Sequence, residues 1–134
     1  MDDEPAGLVR WLFAAAWSDG ETGSLPERVG AVTFHYGGSA RETDGRALQD
    51  LITAYREAFP DLRFVVEDLV ERGDRVAVRC RFTGTHRGRW RGFEPTGRTV
   101  DFDVAMFFRF EGGRLVEVWE VDDAARRDRQ LGLT

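Results

Sequence analysis

The chain has 134 residues, enough for one compact domain whose core needs neither disulfides nor a metal. Its 19 basic residues are all Arg, and 24 acidic residues leave a net charge of −5, which argues against a general nucleic-acid binder. The lack of Lys excludes Schiff-base and lysine-base chemistry, and the single cysteine, Cys80, excludes an internal disulfide and argues against a cysteine metal site.

No run approaches ~18 consecutive apolar residues, so neither a membrane span nor a membrane partner is expected. The start "MDDEPAG" is the reverse of a secretory signal peptide, and the expected location is cytoplasmic. No repeat or linker divides the sequence, so residues 1–134 are read as a single domain, with 1–7 a flexible start.

In chain order, "LVRWLFAAAW" sets Leu8, Trp11, Leu12 and Ala15 at helical spacing, and "SDGETGS" ends that helix. "LPERVG" suits a short helical turn, and "AVTFHYGG" a short extended segment closed by two glycines. The clearest helix is "TDGRALQDLITAYREAFPD". Leu48, Leu51, Ile52, Tyr55 and Phe59 share one face, Thr43 or Asp44 caps the start, and Pro60 stops the end. After it come two strands around "RGDR", then "RTVDFDVAMFFRF" and "RLVEVWEVDD" joined by "EGG". The tail "AARRDRQLGLT" suits a short helix or a packed end. Helices first and an antiparallel sheet afterwards make an α+β domain, with a curled four-stranded sheet whose mouth suits a small apolar ligand.

A three-residue loop Glu111–Gly113 sets Phe110 opposite Arg114, and therefore Met106 opposite Val118, Val104 opposite Glu120 and Phe102 opposite Asp122. Side chains alternate, so Val100, Phe102, Val104, Met106, Phe108, Phe110, Val116 and Val118 share the side read as interior. Asp101, Asp103, Ala105, Phe107, Arg109, Leu115, Glu117, Trp119 and Val121 share the other, whose apolar members suit a subunit interface. In the preceding strand the row Val76, Val78, Cys80, Phe82 leads through Gly84 to His86.

A carboxylate, Glu120, and an imidazole, His86, thus extend apolar rows. Among Val, Phe and Met a carboxyl is desolvated and its pKa rises, which suits a group that takes and returns a proton near neutral pH. His86 is placed to polarise a developing enolate or to carry the proton. The competing reading makes Glu120 the point where the strand meets water, and His86 an exposed turn residue. Asp122 reads as a strand-end group, and Asp101 and Asp103 as solvated or paired with Arg. His35 either lines the cavity or sits in a loop. Cys80 reads as a small core residue, and two distant histidines give no metal site. "HRGRWRG" with Trp90 reads as a loop or lid.

Taken together, "AFPDLRF", "GTHRGRWRGFEPTGRTV", "FRFEGGRLVEVWEVDD" and "RQLG" mark a resemblance to the SnoaL-like polyketide cyclases, a branch of the nuclear-transport-factor-2-like superfamily. The resemblance covers residues 8 to 132. It implies a cone-shaped α+β barrel, a strongly curved sheet with helices enclosing a deep pocket, and commonly a homodimer. It implies Glu120, seven residues after Gly113, as general acid/base, with His86 in the pocket and His35 at a polar pocket position. Such cyclases use neither metal nor organic cofactor and close a ring by an intramolecular aldol step on a polyketide ester. Those cyclases use Asp where this chain has Glu120, and a pocket histidine where it has Met106; ketosteroid isomerases carry an acid at the latter place.

The leading expectation is a cofactor-independent cyclase or isomerase of polyketide-type metabolism. Glu120 and His86 are its catalytic pair. His35, Tyr55, Trp90, Phe102, Val104, Met106, Phe108, Val118 and Asp122 are its substrate-binding residues. Epoxide hydrolysis, which in this superfamily uses an Asp-Arg-Asp set, is a second enzymatic reading, but Arg109, the obvious candidate, falls on the side opposite Glu120. Hydroxylase and dehydratase chemistries also occur in the superfamily. A ligand-binding or assembly domain without catalysis is the alternative from another class.

Overall fold

A computed structural model describes residues 4–133. Helix α1 (Pro5–Trp11) runs without a break into a π-helical segment, Leu12–Ser18. Then follow α2 (Leu25–Arg28), β1 (Val32–Tyr36), β2 (Ser39–Thr43), α3 (Gly45–Ala58), β3 (Arg63–Arg72), β4 (Arg75–Thr85), β5 (Thr99–Glu111), β6 (Arg114–Asp122) and α4 (Ala124–Leu131). Of the expected flexible start, residues 1–3 lie outside the described residues, and Pro5–Gly7 already form the first turn of α1.

The strands form one curved sheet in the order β2-β1-β6-β5-β4-β3, and it does not close. Six strands replace the four expected. The second glycine of "HYGG" is followed by a strand, because Gly37 and Gly38 both adopt positive φ (60° and 81°) and turn the chain into the β1–β2 hairpin. β1 then lies parallel to β6, placing Tyr36 beside Glu120. Sequence periodicity does not reveal such a long-range parallel pairing.

The β5–β6 turn also departs from expectation. Gly112 and Gly113 are both left-handed (φ 56° and 81°), giving a two-residue turn with Glu111 opposite Arg114. A bulge follows, because Phe110 pairs with Leu115 while Arg109 pairs with Glu117. Leu115, not Val116, is therefore the buried residue at that end. Beyond the bulge the parity is as expected but the partners move by two: Met106 faces Glu120, Val104 faces Asp122, and Phe108 faces Val118.

The inner face is a continuous apolar layer. Val76, Val78, Cys80 and Phe82 from β4 meet Val100, Phe102, Val104, Phe108 and Phe110 from β5, all buried. Burial pushes the Cys80 thiol up to about 12, with the nearby carboxylates Glu67 and Glu120 adding to it, so Cys80 packs as an apolar group and is no nucleophile. Phe13 and Trp17 from the N-terminal helical run pack on Phe64 at 4.8 and 5.3 Å, edge to face. Ser18 holds that run to β3, its hydroxyl accepting from Phe64 N at 2.9 Å. α3 is capped by Asp44, which accepts from Ala47 N at 2.9 Å.

The far end of α3 is closed by the segment after β4. Arg87 N and Gly88 N both donate to Ala58 O, at 2.9 and 3.1 Å. Gly88 passes so near the helix that a Cβ there would lie 2.1 Å from Glu57 O. Asp61 ties the same corner, accepting from Thr85 N (2.7 Å) and Thr85 Oγ1 (2.8 Å). "AFPD" and "GTHRG" are thus two sides of one joint between α3 and the sheet.

Candidate active site

Between the sheet and the helices lie two adjoining chambers. The larger, about 480 Å³, is walled by Leu12, Phe13, Val29, Leu48, Met106, Phe108, Leu115 and Val118. That volume is in the range of small-molecule pockets. The smaller, about 130 Å³, is walled by Tyr55, Phe82, Phe102 and Val104 together with Tyr36, Asp122 and Arg127. Trp17, Phe34, Arg41, Leu51, Phe64 and Glu120 border both. Glu120 thus stands where the two chambers meet.

β6 places Glu120 and Asp122 two residues apart on the inner face, and β1 brings Tyr36 alongside. Tyr36 donates its hydroxyl hydrogen to Asp122 Oδ1 at 2.8 Å. Glu120 is also hydrogen-bonded to Asp122, and two carboxyls so close hold one proton between them. Burial raises the Glu120 pKa from 4.5 to about 8; the Asp122 charge and hydrogen bond add to the rise, and Arg127 opposes it. Burial likewise raises both tyrosines, Tyr36 to about 12 with the Asp122 hydrogen bond and charge adding to it. Both are therefore hydrogen-bond donors at neutral pH.

Arg127 and Tyr36 escaped the sequence reading. Arg127 projects from the first turn of α4, is only 3% exposed, and shares a helix face with buried Leu131 four residues on. That spacing was the available signal. Its guanidinium lies 4.8 Å from the Trp90 ring centre and 5.9 Å from that of Phe102, and its Nε donates to Asp128 Oδ1 at 3.1 Å.

Among the residues expected to bind substrate, Tyr55, Phe102, Val104, Met106, Phe108, Val118 and Asp122 border the chambers. Three candidates lie elsewhere. His35 belongs to the outer face, because Phe34 takes the inward position in β1. Its Nε2 is 2.6 Å from Glu117 Oε2, and its ring stacks on Trp119 at 4.9 Å. His86 is completely buried but borders neither chamber. Its ring packs on Phe59 at 5.5 Å and its Nδ1 accepts from Thr96 N at 3.2 Å, so the ring proton falls on Nε2, which has no hydrogen-bond partner among the described residues. His86 thereby ties the 86–98 segment, with backbone bonds to Gly97 and Arg98 at 2.9 Å. Trp90 is buried as a support under Arg127, neither a lid nor a chamber wall. Arg109 is on the outer face, bonded to Glu117 (2.9 Å) and Glu111 (2.6 Å), so no Asp-Arg-Asp set forms around it and Glu120. Asp101, read as solvated or paired with Arg, accepts from Arg81 Nη2 at 2.6 Å.

No curated protein matches the chain. Solved structures do. IdmH of Streptomyces antibioticus, a candidate polyketide cyclase, is 29% identical, with a TM-score of 0.78 over 96% of this chain and 98% of its own. AclR of Streptomyces galilaeus, a candidate hydroxylase, is 28% identical, with a TM-score of 0.76 over 91% of each chain. A candidate SnoaL-like polyketide cyclase from Jannaschia sp. CCS1 is 27% identical, with a TM-score of 0.81 over 97% of this chain and 92% of its own. The architecture is the cone-shaped α+β fold of these neighbours. A family model, SnoaL-like polyketide cyclase, matches residues 7–131, and the chain belongs to that family.

Proposed function

We propose that the protein is a cofactor-independent cyclase or isomerase that acts on a hydrophobic, polyketide-type small molecule by proton transfer through Glu120. The observation that carries this reading is the placement of Glu120. Its carboxyl borders an apolar chamber large enough for a ring system and has a proton affinity near 8. A carboxyl with that affinity is poised to take and return a proton near neutral pH, as exchange at a carbon next to a carbonyl requires.

In this mechanism the Glu120 carboxylate takes the α-proton of a ketone or ester, and the C–H electron pair becomes the enolate. The enolate carbon attacks a second carbonyl of the same molecule and closes the ring. The resulting alkoxide recovers the proton from Glu120, so the carboxylate is regenerated. Burial sets the raised affinity of Glu120 for the proton, Asp122 adds to it, and Tyr36 fixes Asp122. Met106 faces Glu120 and supplies no donor, so polar assistance comes from the small chamber. His86 is assigned here to holding the 86–98 segment, outside the reacting groups.

The test is deuterium exchange into the α-position of ethyl benzoylacetate, followed by proton NMR. The wild type is expected to accelerate exchange above the buffer rate, and Glu120→Gln to remove the acceleration. Undiminished acceleration in that variant sinks the role of Glu120. No acceleration by the wild type leaves a binding domain as the better reading.

For assembly, the proposed unit is a homodimer through the outer sheet face. Phe107, Val70 and Val121 are exposed there at 48%, 63% and 64%, and a groove runs between Val70 and Trp119. A two-fold copy presents the same apolar strip to itself.

A further inference from the structure

The small chamber contains a buried cation whose hydrogen bonds are incomplete. Arg127 has five N–H donors, and its Nε is used by Asp128. Its two Nη groups donate to no described residue, although the side chain is buried and borders the chamber. Asp122, an acid on the chamber wall, does not serve it. Asp122 is engaged by the Tyr36 hydroxyl and by the proton of Glu120. Tyr55, also on the chamber wall and packed like Arg127 beside Trp90, has a hydroxyl that bonds to no described residue. These donors are not sealed in the protein interior but open onto the chamber, where a ligand oxygen can meet them.

The guanidinium is also held in place, because Trp90 and Phe102 pack on it and the Asp128 bond fixes its Nε edge. A fixed fork of N–H donors recognises planar oxyanions, carboxylates and enolates among them. Resting on the reading of Glu120 as the proton carrier, we propose that Arg127 and Tyr55 form an oxyanion subsite. It holds the enolate or carboxylate oxygen of the substrate while the hydrocarbon portion occupies the larger chamber. The substrate class is thereby narrowed to apolar ring or chain compounds with one acidic oxygen function at one end. The charge of Arg127 is felt by Tyr36, Tyr55 and Glu120, which places its field over the groups concerned.

The experiment compares 2-naphthoate with its neutral isostere 2-naphthamide, at a pH near 6.5 where Glu120 carries its proton. Binding is followed by quenching of tryptophan fluorescence, since Trp17 borders the chambers. The wild type is expected to bind naphthoate at least tenfold more tightly than naphthamide. Arg127→Met, whose side chain fills the space under Trp90, erases that preference while naphthamide affinity stays within about twofold. Arg127→Lys keeps part of it, and Tyr55→Phe lowers it without removing it. Equal binding of the two probes to the wild type overturns the subsite but leaves the apolar chamber and Glu120 untouched. A preference that survives in Arg127→Met overturns it as well. Failure of both probes to bind overturns the subsite together with the substrate class given above. Should Arg127→Met lose its near-ultraviolet dichroism, the Lys and Phe variants decide, and an unchanged preference in both refutes the proposal.

Discussion

Glu120→Gln tests the electrostatics of the site without any substrate. The unfolded chain titrates Glu120 near 4.5 and the folded chain near 8. Between those values the unfolded state has lost the proton and the folded state retains it, so stability falls as pH rises. Each pH unit costs about 1.4 kcal/mol, and the whole window about 5 kcal/mol. This is a ceiling, because water entering the chambers screens the ionised form. Below about 4.5 both states are protonated, and above about 8 both are ionised, so the effect is flat outside the window. A glutamine amide keeps the hydrogen bond to Asp122 and never ionises. The assay is urea denaturation of both proteins from pH 4.5 to 9. The stability of Glu120→Gln minus that of wild type should climb through the window and level off near pH 8. The other titrating groups are common to both proteins and cancel. A difference that stays constant between pH 5 and 8 refutes the reasoning, since it requires an ordinary, solvated glutamate at this position.

Asp122→Asn removes the charge that adds to the effect of burial, and the carboxyl-carbon NMR titration of Glu120 should move down by about one unit or more; an unmoved midpoint leaves burial as the whole cause. Gly88→Ala forces a Cβ against Glu57 O and should cost roughly 2–4 kcal/mol in denaturation. A loss below ~1 kcal/mol shows that the α3–sheet joint gives way easily. Phe107→Glu sets carboxylates on the apolar outer face, and sedimentation velocity should show a dimer become monomer; an unchanged sedimentation coefficient places the interface elsewhere.

Strand parity was the most legible feature of the sequence, and it placed Glu120 and Asp122 correctly on the inner face. Their cross-strand partners were not legible. "EGG" fits a three-residue loop as well as a two-residue turn followed by a bulge, and only the backbone of Gly112 and Gly113 separates the two. Because the shorter turn and the bulge together restore the parity, the side was right while the partner of Glu120 changed from Val104 to Met106. His35 failed for another reason. β1 is too short for its alternation to identify an inner side, and its position is set by β6, some eighty residues away. For His86 the parity argument gives a buried side chain, but burial alone does not decide whether a group reaches the cavity or packs on Phe59.

Arg127 shows how the parts of the proposed site act together. With Glu120 protonated, the wall of the small chamber holds the Asp122 carboxylate, a neutral carboxyl and the two guanidinium groups of Arg41 and Arg127. Ionising Glu120 sets a second negative charge beside Asp122, which is the state required of a base. Proton abstraction transfers that charge from Glu120 to the substrate oxygen. If the oxygen lies at Arg127 and Tyr55, the negative charge moves from the carboxylate pair to a site with fixed, unused donors. The total charge of the chamber does not change. The enzyme would then stabilise the enolate by relieving the repulsion between Glu120 and Asp122 while filling the donors of a preplaced cation. Apart from Tyr55 on α3, both effects come from Glu120, Asp122 and Arg127, two to seven positions apart at the end of β6 and the start of α4, so this short stretch would carry the base and the charged half of its oxyanion site.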